Sequence, residues 1–156
     1  MGFMLRTHVF GLEAGRVLLM RRKNGVNKGL WVGLGGRLEA GESPLEAAIR
    51  EFREESGLTA AEMHFRGLVT LHYPHRNRTV LNFLYACSGF EGDLTKKGGG
   101  EGKLKWNHLH QVYELPMPAF SREWMPQVIN LNAPFYQARY RLNEENQIEE
   151  IVALPG

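Results

Sequence analysis

The sequence has few cysteines, no long apolar run and little net charge. Cys87 is the single cysteine among 156 residues, so one chain can form neither a disulfide framework nor a cysteine-based zinc site. The absence of a signal pattern and of the ~20 apolar residues needed to span a bilayer predicts a cytoplasmic protein without a membrane partner. A formal net charge of +2 gives no basic field for polymeric nucleic acid.

What the chain does contain is typical of a globular fold. Hydrophobic residues make up 43% and charged residues 23% of the sequence, and this length suits one domain over residues 1–156. Alternating and continuously apolar segments predict strands at 5–12, 16–21, 65–73, 79–87, 104–106, 135–142 and 148–154. A helix is expected from Ser121 through Leu131, starting late or bending at Pro126. The order of elements predicts an α+β or α/β sandwich.

The best-defined local signal is a helix start near residue 43. Ser43 is a good N-cap, Pro44 suits the first helical position, and Glu46 completes a capping box. We expect the helix to run from about Pro44 to Ser56 and to end at Gly57 in a left-handed conformation. Its predicted apolar stripe, at helical spacing, consists of Leu45, Ala48, Ile49 and Phe52.

Three carboxylates, Glu51, Glu54 and Glu55, lie beside that stripe. Like charges at this spacing weaken a helix, and a hard divalent cation would remove the repulsion because it prefers oxygen ligands. The alternative interpretation is a solvated acidic edge of an ordinary surface helix, which is the usual meaning of such a run.

The spacing of the residues around these carboxylates favours the metal. Gly36, five residues, Glu42, seven residues, and then the run from Arg50 to Leu58 resemble the signature of the Nudix hydrolases at every specified position. The resemblance implies a mixed β-sheet sandwiched between helices, in which the signature forms a loop–helix–loop metal site. It also implies hydrolysis of a phosphoanhydride bond in a small-molecule nucleotide.

The resemblance further implies which residues hold the metal. The expected ion is Mg²⁺, with Mn²⁺ as a substitute, and its implied ligands are Gly35 (through its carbonyl), Glu51, Glu54, Glu55 and Glu101. Glu51 would coordinate the ion or act as the general base, and Arg50 would orient the carboxylates through charged hydrogen bonds. Which glutamate is the base stays open, as does the number of ions.

The candidate substrate-binding residues lie on either side of this motif. Cations at the end of the second strand, Arg22 and Lys23, could face a polyphosphate, or they could be an ordinary solvated strand end. The glycines up to Gly36 allow the backbone to approach a ligand closely. Aromatic faces suited to a nucleobase are Tyr73, Phe83 and Phe120, although core packing is the better interpretation of Phe83.

The substrate is less well defined by the sequence. Outside the signature the chain is similar to MutT-type enzymes that clear oxidised purine nucleoside triphosphates such as 8-oxo-dGTP. Val32, however, stands where the eukaryotic enzyme has a base-reading asparagine. Pro118, Phe120 and Ser121 fall roughly where it has a stacking tryptophan and two aspartates. Cleavage of ADP-ribose or a dinucleotide, and a non-catalytic nucleotide-binding regulator, are the two alternatives. A monomer and a homodimer are both compatible with the sequence.

Overall fold

The computed structural model describes residues 2–94 and 102–154. Its strands are β1 (Gly2–Glu13), β2 (Arg16–Arg22), β3 (Trp31–Val32), β4 (Thr59–Tyr73), β5 (Arg78–Glu91), β6 (Gly102–His108), β7 (Tyr136–Leu142) and β8 (Ile148–Leu154). Its α-helices are α1 (Pro44–Ser56) and α2 (Ala119–Ile129), and short 3₁₀ turns cover Pro74–Arg76 and Val112–Glu114. In these ranges no helix is both long and apolar enough to cross a membrane.

The strands form one mixed sheet. Neighbouring strands are hydrogen-bonded in the order β3-β2-β1-β5-β4-β7-β8. The strand β6 is outside this order and pairs with β2. The pairs β1–β5 and β4–β7 are parallel, and the remaining pairs are antiparallel. The parallel pair β1–β5 sets Met4 beside Val80 and Arg6 beside Asn82, which later determines where the cavity lies.

Each face of the sheet is covered by one helix. Phe52 and Ala48 of α1 are buried against one face with Val9, Leu18 and Leu58. Trp124, Phe120 and Val128 of α2 are buried against the other face with Phe10, Val69 and Tyr140. The predicted mixed sheet between helices is therefore confirmed, and the fold is α+β.

The ends of α1 are where the sequence predicts them. The Ser43 side chain accepts from the Glu46 amide at 3.1 Å, and the Glu46 carboxylate accepts from the Ser43 amide at 3.0 Å. Gly57 ends the helix at φ 83°. The predicted apolar stripe is partly wrong, because Leu45 and Ile49 are 45% and 36% exposed. The helix rests on the sheet through a face that includes Ala47, Ala48, Phe52, Glu55 and Ser56.

The second helix starts earlier than predicted. It runs over Ala119–Ile129 with Pro118 at its N-cap, so Ser121 is a buried residue inside the helix and not its cap. Pro126 is accommodated within the helix, although proline lacks the N–H that would bond to the preceding turn. Burial of Trp124 and Met125, the two residues immediately before Pro126, is the tertiary packing that offsets the lost bond.

Candidate functional site

The acidic edge of α1 is organised by one guanidinium group. Arg50 Nε donates to Glu42 Oε2 at 2.6 Å, and Arg50 Nη2 donates to Glu42 Oε1 at 2.9 Å. This two-bond pairing is the strongest geometry that arginine and a carboxylate can adopt. It fastens the loop before the helix to the second turn of the helix.

The same guanidinium also contacts two helix carboxylates. Arg50 Nη1 donates to Glu51 Oε1 at 2.8 Å and to Glu54 Oε2 at 3.2 Å, so both oxygens lie beside one nitrogen. Hydrogen bonds donated by Arg50 and by the Glu39 amide lower the pKa of Glu42 to about 2. The bonds that Arg50 donates to Glu42 and Glu51 raise its own pKa. Arg50 is thus a fixed cation between three carboxylates.

Glu55 lies on the inner side of the helix, only 4% exposed. The Gly35 amide donates to Glu55 Oε1 at 2.7 Å, which ties the loop after β3 to the end of α1. Gly35 has φ 147°, and a Cβ there would stand 2.0 Å from the Thr7 carbonyl oxygen. At Gly36 a Cβ would stand 2.8 Å from Glu51 Oε1. Gly35 is therefore required by its close approach to the Thr7 backbone, whereas a side chain at Gly36 would displace the Glu51 carboxylate.

The chemistry of these groups fits a hard divalent cation. Carboxylate oxygens and a backbone carbonyl are the ligands that Mg²⁺ prefers. Within residues 2–94 and 102–154, however, no three acidic, histidine or cysteine side chains are already gathered into a set that could enclose an ion. Glu101, the further ligand implied by the sequence, lies outside the described residues.

A cavity of about 250 Å³ adjoins this edge at Gly35. Its floor is one face of the sheet, because side chains on a strand alternate between faces. From β1 come Met4, Arg6 and His8, from β4 Leu71 and Tyr73, and from β5 Arg78, Val80 and Asn82. The glycine loop and Phe120 of α2 complete its walls.

The polar floor of the cavity has a defined hydrogen-bond direction. Asn82 Nδ2 lies 3.1 Å from the carbonyl oxygens of Val69 and Val80, so the amide nitrogen must be on that side and Oδ1 must accept. His8 Nε2 lies 2.8 Å from Asn82 Oδ1 and therefore carries the proton. Burial and the nearby Arg6 charge lower the pKa of His8 to about 3, so the ring stays neutral and its Nδ1 is an acceptor.

The walls of the cavity are strongly cationic. Among the residues that the structure describes, no acidic residue lines it. Five arginines do: Arg6, Arg22, Arg37, Arg76 and Arg78. Arg6 and Arg37 are opposite each other in a bridge pair, an arrangement that is unfavourable for like charges. Burial lowers the pKa of Arg6, and the positive charges of Arg22 and Arg37 lower it further. The cavity is therefore suited to an anion.

The structure brings together four of the six predicted substrate-binding residues. Arg22, Val32, Tyr73 and Phe120 line the cavity. Lys23 is exposed and does not line it, while Gly36 adjoins Glu51 instead. Phe83 lies away from the cavity, where its ring stacks on Phe65 at 6.1 Å between centroids.

Several cavity residues were not identified from the sequence. His8, Asn82, Arg6 and Arg78 come from strand positions, Arg76 comes from the tight connection between β4 and β5, and Arg37 comes from the loop after β3. The available signal was their two-residue spacing: 4, 6 and 8 on β1, and 78, 80 and 82 on β5. That spacing shows which residues share a face but not which strands are neighbours.

Comparison with known proteins covers most of the chain. A family model for the NUDIX domain matches residues 4–128. The oxidized purine nucleoside triphosphate hydrolase of Danio rerio is 30% identical over 122 residues, which are 78% of this chain and 77% of that protein. The ADP-ribose pyrophosphatase of Methanocaldococcus jannaschii is 30% identical over 108 residues, 69% of this chain and 62% of that protein. A MutT protein structure from Bacillus halodurans superposes with TM-score 0.85 at 26% identity, covering 98% and 99% of the two chains.

Proposed function

Because the chain belongs to the Nudix family of hydrolases, we propose that it hydrolyses a phosphoanhydride bond of a nucleoside phosphate with Mg²⁺ as its cofactor. The observation that carries the proposal is the Arg50 network, in which one guanidinium holds Glu42, Glu51 and Glu54 at the edge of a cationic cavity. Carboxylates and cations placed side by side are what binding of a metal and a phosphate chain requires.

Each residue of this edge has a distinct proposed role. Glu51, Glu54, Glu55 and the Gly35 carbonyl would hold the ion, with Glu101 as a further ligand. When bound, Mg²⁺ lowers the pKa of a coordinated water and neutralises charge on the leaving phosphate. Glu51 or Glu54 accepts the proton of the attacking water, and Arg50 keeps both carboxylates in place. The P–O bond of the anhydride breaks, and a nucleoside triphosphate yields a monophosphate and pyrophosphate.

The test compares two Glu→Gln variants on the same helix. Glu54→Gln should retain the fold and lose roughly 10²-fold or more in kcat, as expected when base or metal-ligand function is removed. Glu46→Gln is the matched control, because glutamine also satisfies a capping box, and it should keep wild-type turnover. Hydrolysis is measured as phosphate or pyrophosphate release across a magnesium titration. Full magnesium-dependent activity in Glu54→Gln would remove that residue from the mechanism.

For the substrate, we propose a MutT-like (d)NTP, with an oxidised purine as the first candidate. The 30% identity to the Danio rerio enzyme over 122 residues supports this choice, and so does the acceptor at His8 Nδ1, which suits the N–H edge of a purine. The alternative is ADP-ribose or a dinucleotide, supported by the similarity to the archaeal pyrophosphatase. A panel of ordinary and oxidised dNTPs, ADP-ribose and dinucleoside polyphosphates distinguishes the two, because the alternative predicts AMP release and weak triphosphate turnover.

A further inference from the structure

The cavity deepens along β1 towards the core of the protein. Met4, Arg6 and His8 line it from one face of the strand. Phe10, the next residue on that face, is completely buried in the core. The His8 ring also contacts the buried Trp124 ring edge-on, with 4.9 Å between centroids. His8 is therefore the innermost β1 residue that a ligand in the cavity can contact.

The cations that the strand register places lie nearer the mouth of the cavity than His8. Arg37 is opposite Arg6 in a bridge pair. Arg78 is opposite Gly2, nearer the start of β1. His8 is two residues beyond Arg6 on the same face, or about 7 Å farther in along the strand. A nucleotide whose phosphates contact the arginines would therefore place its base at the inner end.

Neutral side chains surround this inner end. The Phe120 ring lines the cavity and packs on Trp124, with 5.0 Å between centroids. An aromatic face stacks on a base without regard to the identity of that base, so discrimination between bases needs polar atoms. The polar side chains at this end are His8 and Asn82, which reaches across from β5.

Asn82 determines which hydrogen-bonding group His8 offers to a ligand. Asn82 is 1% exposed, and its amide nitrogen is fixed by two backbone carbonyls, so Oδ1 accepts from His8 Nε2. The other ring nitrogen, Nδ1, is then an acceptor. Within residues 2–94 and 102–154 no group pairs with Nδ1, and none of the fully enclosed unpaired side-chain atoms belongs to His8. This acceptor is therefore open to the cavity.

We propose that His8 Nδ1 selects oxidised purines by accepting a hydrogen bond from N7–H of the base, and that Asn82 is the positioning residue that fixes the required tautomer. In an ordinary purine N7 carries no hydrogen and is itself an acceptor. Oxidation at C8 places a carbonyl there and a hydrogen on N7. Two acceptors facing each other are both left unpaired, which disfavours the ordinary base. This inference rests on the proposed function, since it assigns how the same site selects its substrate.

The experiment measures dissociation constants of nucleoside monophosphates, the proposed products, by titration calorimetry with magnesium. The matched pairs are 8-oxo-dGMP with dGMP and 8-oxo-dAMP with dAMP. Wild type should bind the oxidised member of each pair roughly 10- to 100-fold more tightly, the range expected when an enclosed acceptor gains its donor. The factor should be similar in both pairs, because N7–H is common to both oxidised bases. The steric control, 8-bromo-dGMP, has a C8 substituent without an N7 hydrogen and should bind as weakly as dGMP.

The variants assign the preference to two residues. His8→Leu should bring the affinity ratio of each pair close to one. Asn82→Leu retains His8 but should lower each ratio at least about threefold, the contribution of one hydrogen bond. His64→Leu is the matched control and should keep both ratios, because His64 Nε2 is likewise 2.8 Å from a β5 side chain, Ser88 Oγ, but lies outside the cavity. Thermal unfolding by circular dichroism establishes that all variants fold, and Asn82→Ala replaces an unfolded Asn82→Leu protein.

Nitrogen NMR of histidine-labelled protein tests the positioning role of Asn82 directly. The two ring nitrogens of an imidazole are distinct, and the hydrogen bond made by one determines the state of the other. In wild type, His8 should show a protonated Nε2 and an unprotonated Nδ1. In Asn82→Leu both signals should move towards those of a free imidazole, which exchanges between tautomers. Unchanged His8 signals in this variant would overturn the positioning role.

The outcomes separate this inference from the proposed function. Equal affinities within both pairs in wild type would overturn the selection by His8 and leave the hydrolase intact. A change in His8→Leu confined to the guanine pair would also overturn it, because guanine has an N1–H that adenine lacks. Selective binding of the oxidised members without magnesium-dependent hydrolysis of any nucleotide would instead contradict the proposed function and support the base site.

Discussion

Removing the guanidinium at position 50 should destabilise the metal-free protein by an amount that magnesium reduces. In Arg50→Gln the carboxylates of Glu42, Glu51 and Glu54 lose a shared donor that contacts them at 2.6 to 3.2 Å. The three like charges then remain near one another without a cation between them. Bound magnesium would restore positive charge in the same place.

The magnitude follows from the environment of the side chain. Arg50 is 21% exposed, intermediate between a surface and a core position. Exposed ion pairs contribute up to about 1 kcal/mol, and removing one partner of a buried pair costs about 3–5 kcal/mol. We therefore expect the free energy of unfolding to fall by about 2 kcal/mol, which lowers Tm by about 4–8 °C for a domain of this size.

The assay is urea unfolding followed by tryptophan fluorescence, with and without saturating magnesium. Arg53→Gln is the matched control, because it removes the same charge from an exposed site on the same helix. The gap between the two variants should be about 2 kcal/mol without metal and smaller with it. Equal stabilities without metal would refute the structural role of the network. A gap unaffected by magnesium would refute the idea that the ion and the guanidinium compensate the same charges.

Three further predictions concern single positions. Gly35→Ala should lower the free energy of unfolding in urea by roughly 3 kcal/mol, because a Cβ at φ 147° would overlap the Thr7 carbonyl. Gly41→Ala, at φ 81° in open space, should lower it by only about 1 kcal/mol. Equal losses in the two variants would contradict the overlap. The folded protein holds His8 neutral with a pKa of about 3, against 6.5 for a free imidazole, so unfolding takes up a proton between pH 3 and 6.5. On acidification through this range, wild type should therefore lose up to about 1.4 kcal/mol of stability per pH unit relative to His8→Leu. Parallel profiles of stability against pH for the two proteins would contradict this. Burial raises the pKa of Cys87 to about 11. At pH 8 a thiol reagent should therefore label the native protein at least roughly a hundredfold more slowly than the unfolded protein. Rapid labelling of the native protein would show that the thiol is at the surface.

What could be predicted from the sequence was mainly local. The capping box at Ser43 and Glu46 and the left-handed Gly57 depend on residues within one turn of each other, so they were predicted correctly. The exposure of Leu45 and Ile49 was not predicted, because a helical stripe does not specify which part of it contacts the sheet. In α2 the sequence favours Ser121 as the N-cap, but the helix begins at Ala119 and Ser121 is buried inside it, because tertiary packing overrides local preference.

The cavity could not be predicted because its residues are distant in sequence. Arg6, Arg37 and Arg78 approach one another only through the parallel pairing of β1 with β5 and the bridge between residues 6 and 37. Parallel pairing of strands separated by some 70 residues leaves no local pattern. The tautomer of His8 depends in the same way on Asn82, a partner 74 positions away.

The loop at Gly35 has a consequence for how the two halves of the site communicate. Its amide holds Glu55 at the acidic edge, while the same residue forms part of the cavity wall, and the neighbouring residues are fixed to β1 by the bonds from Thr7 to Gly36 and between Val9 and Leu34. A ligand that shifts this wall by a fraction of an ångström must also shift a carboxylate assigned to the ion. Nucleotide and metal should therefore bind interdependently, with each altering the apparent affinity of the other by the same factor.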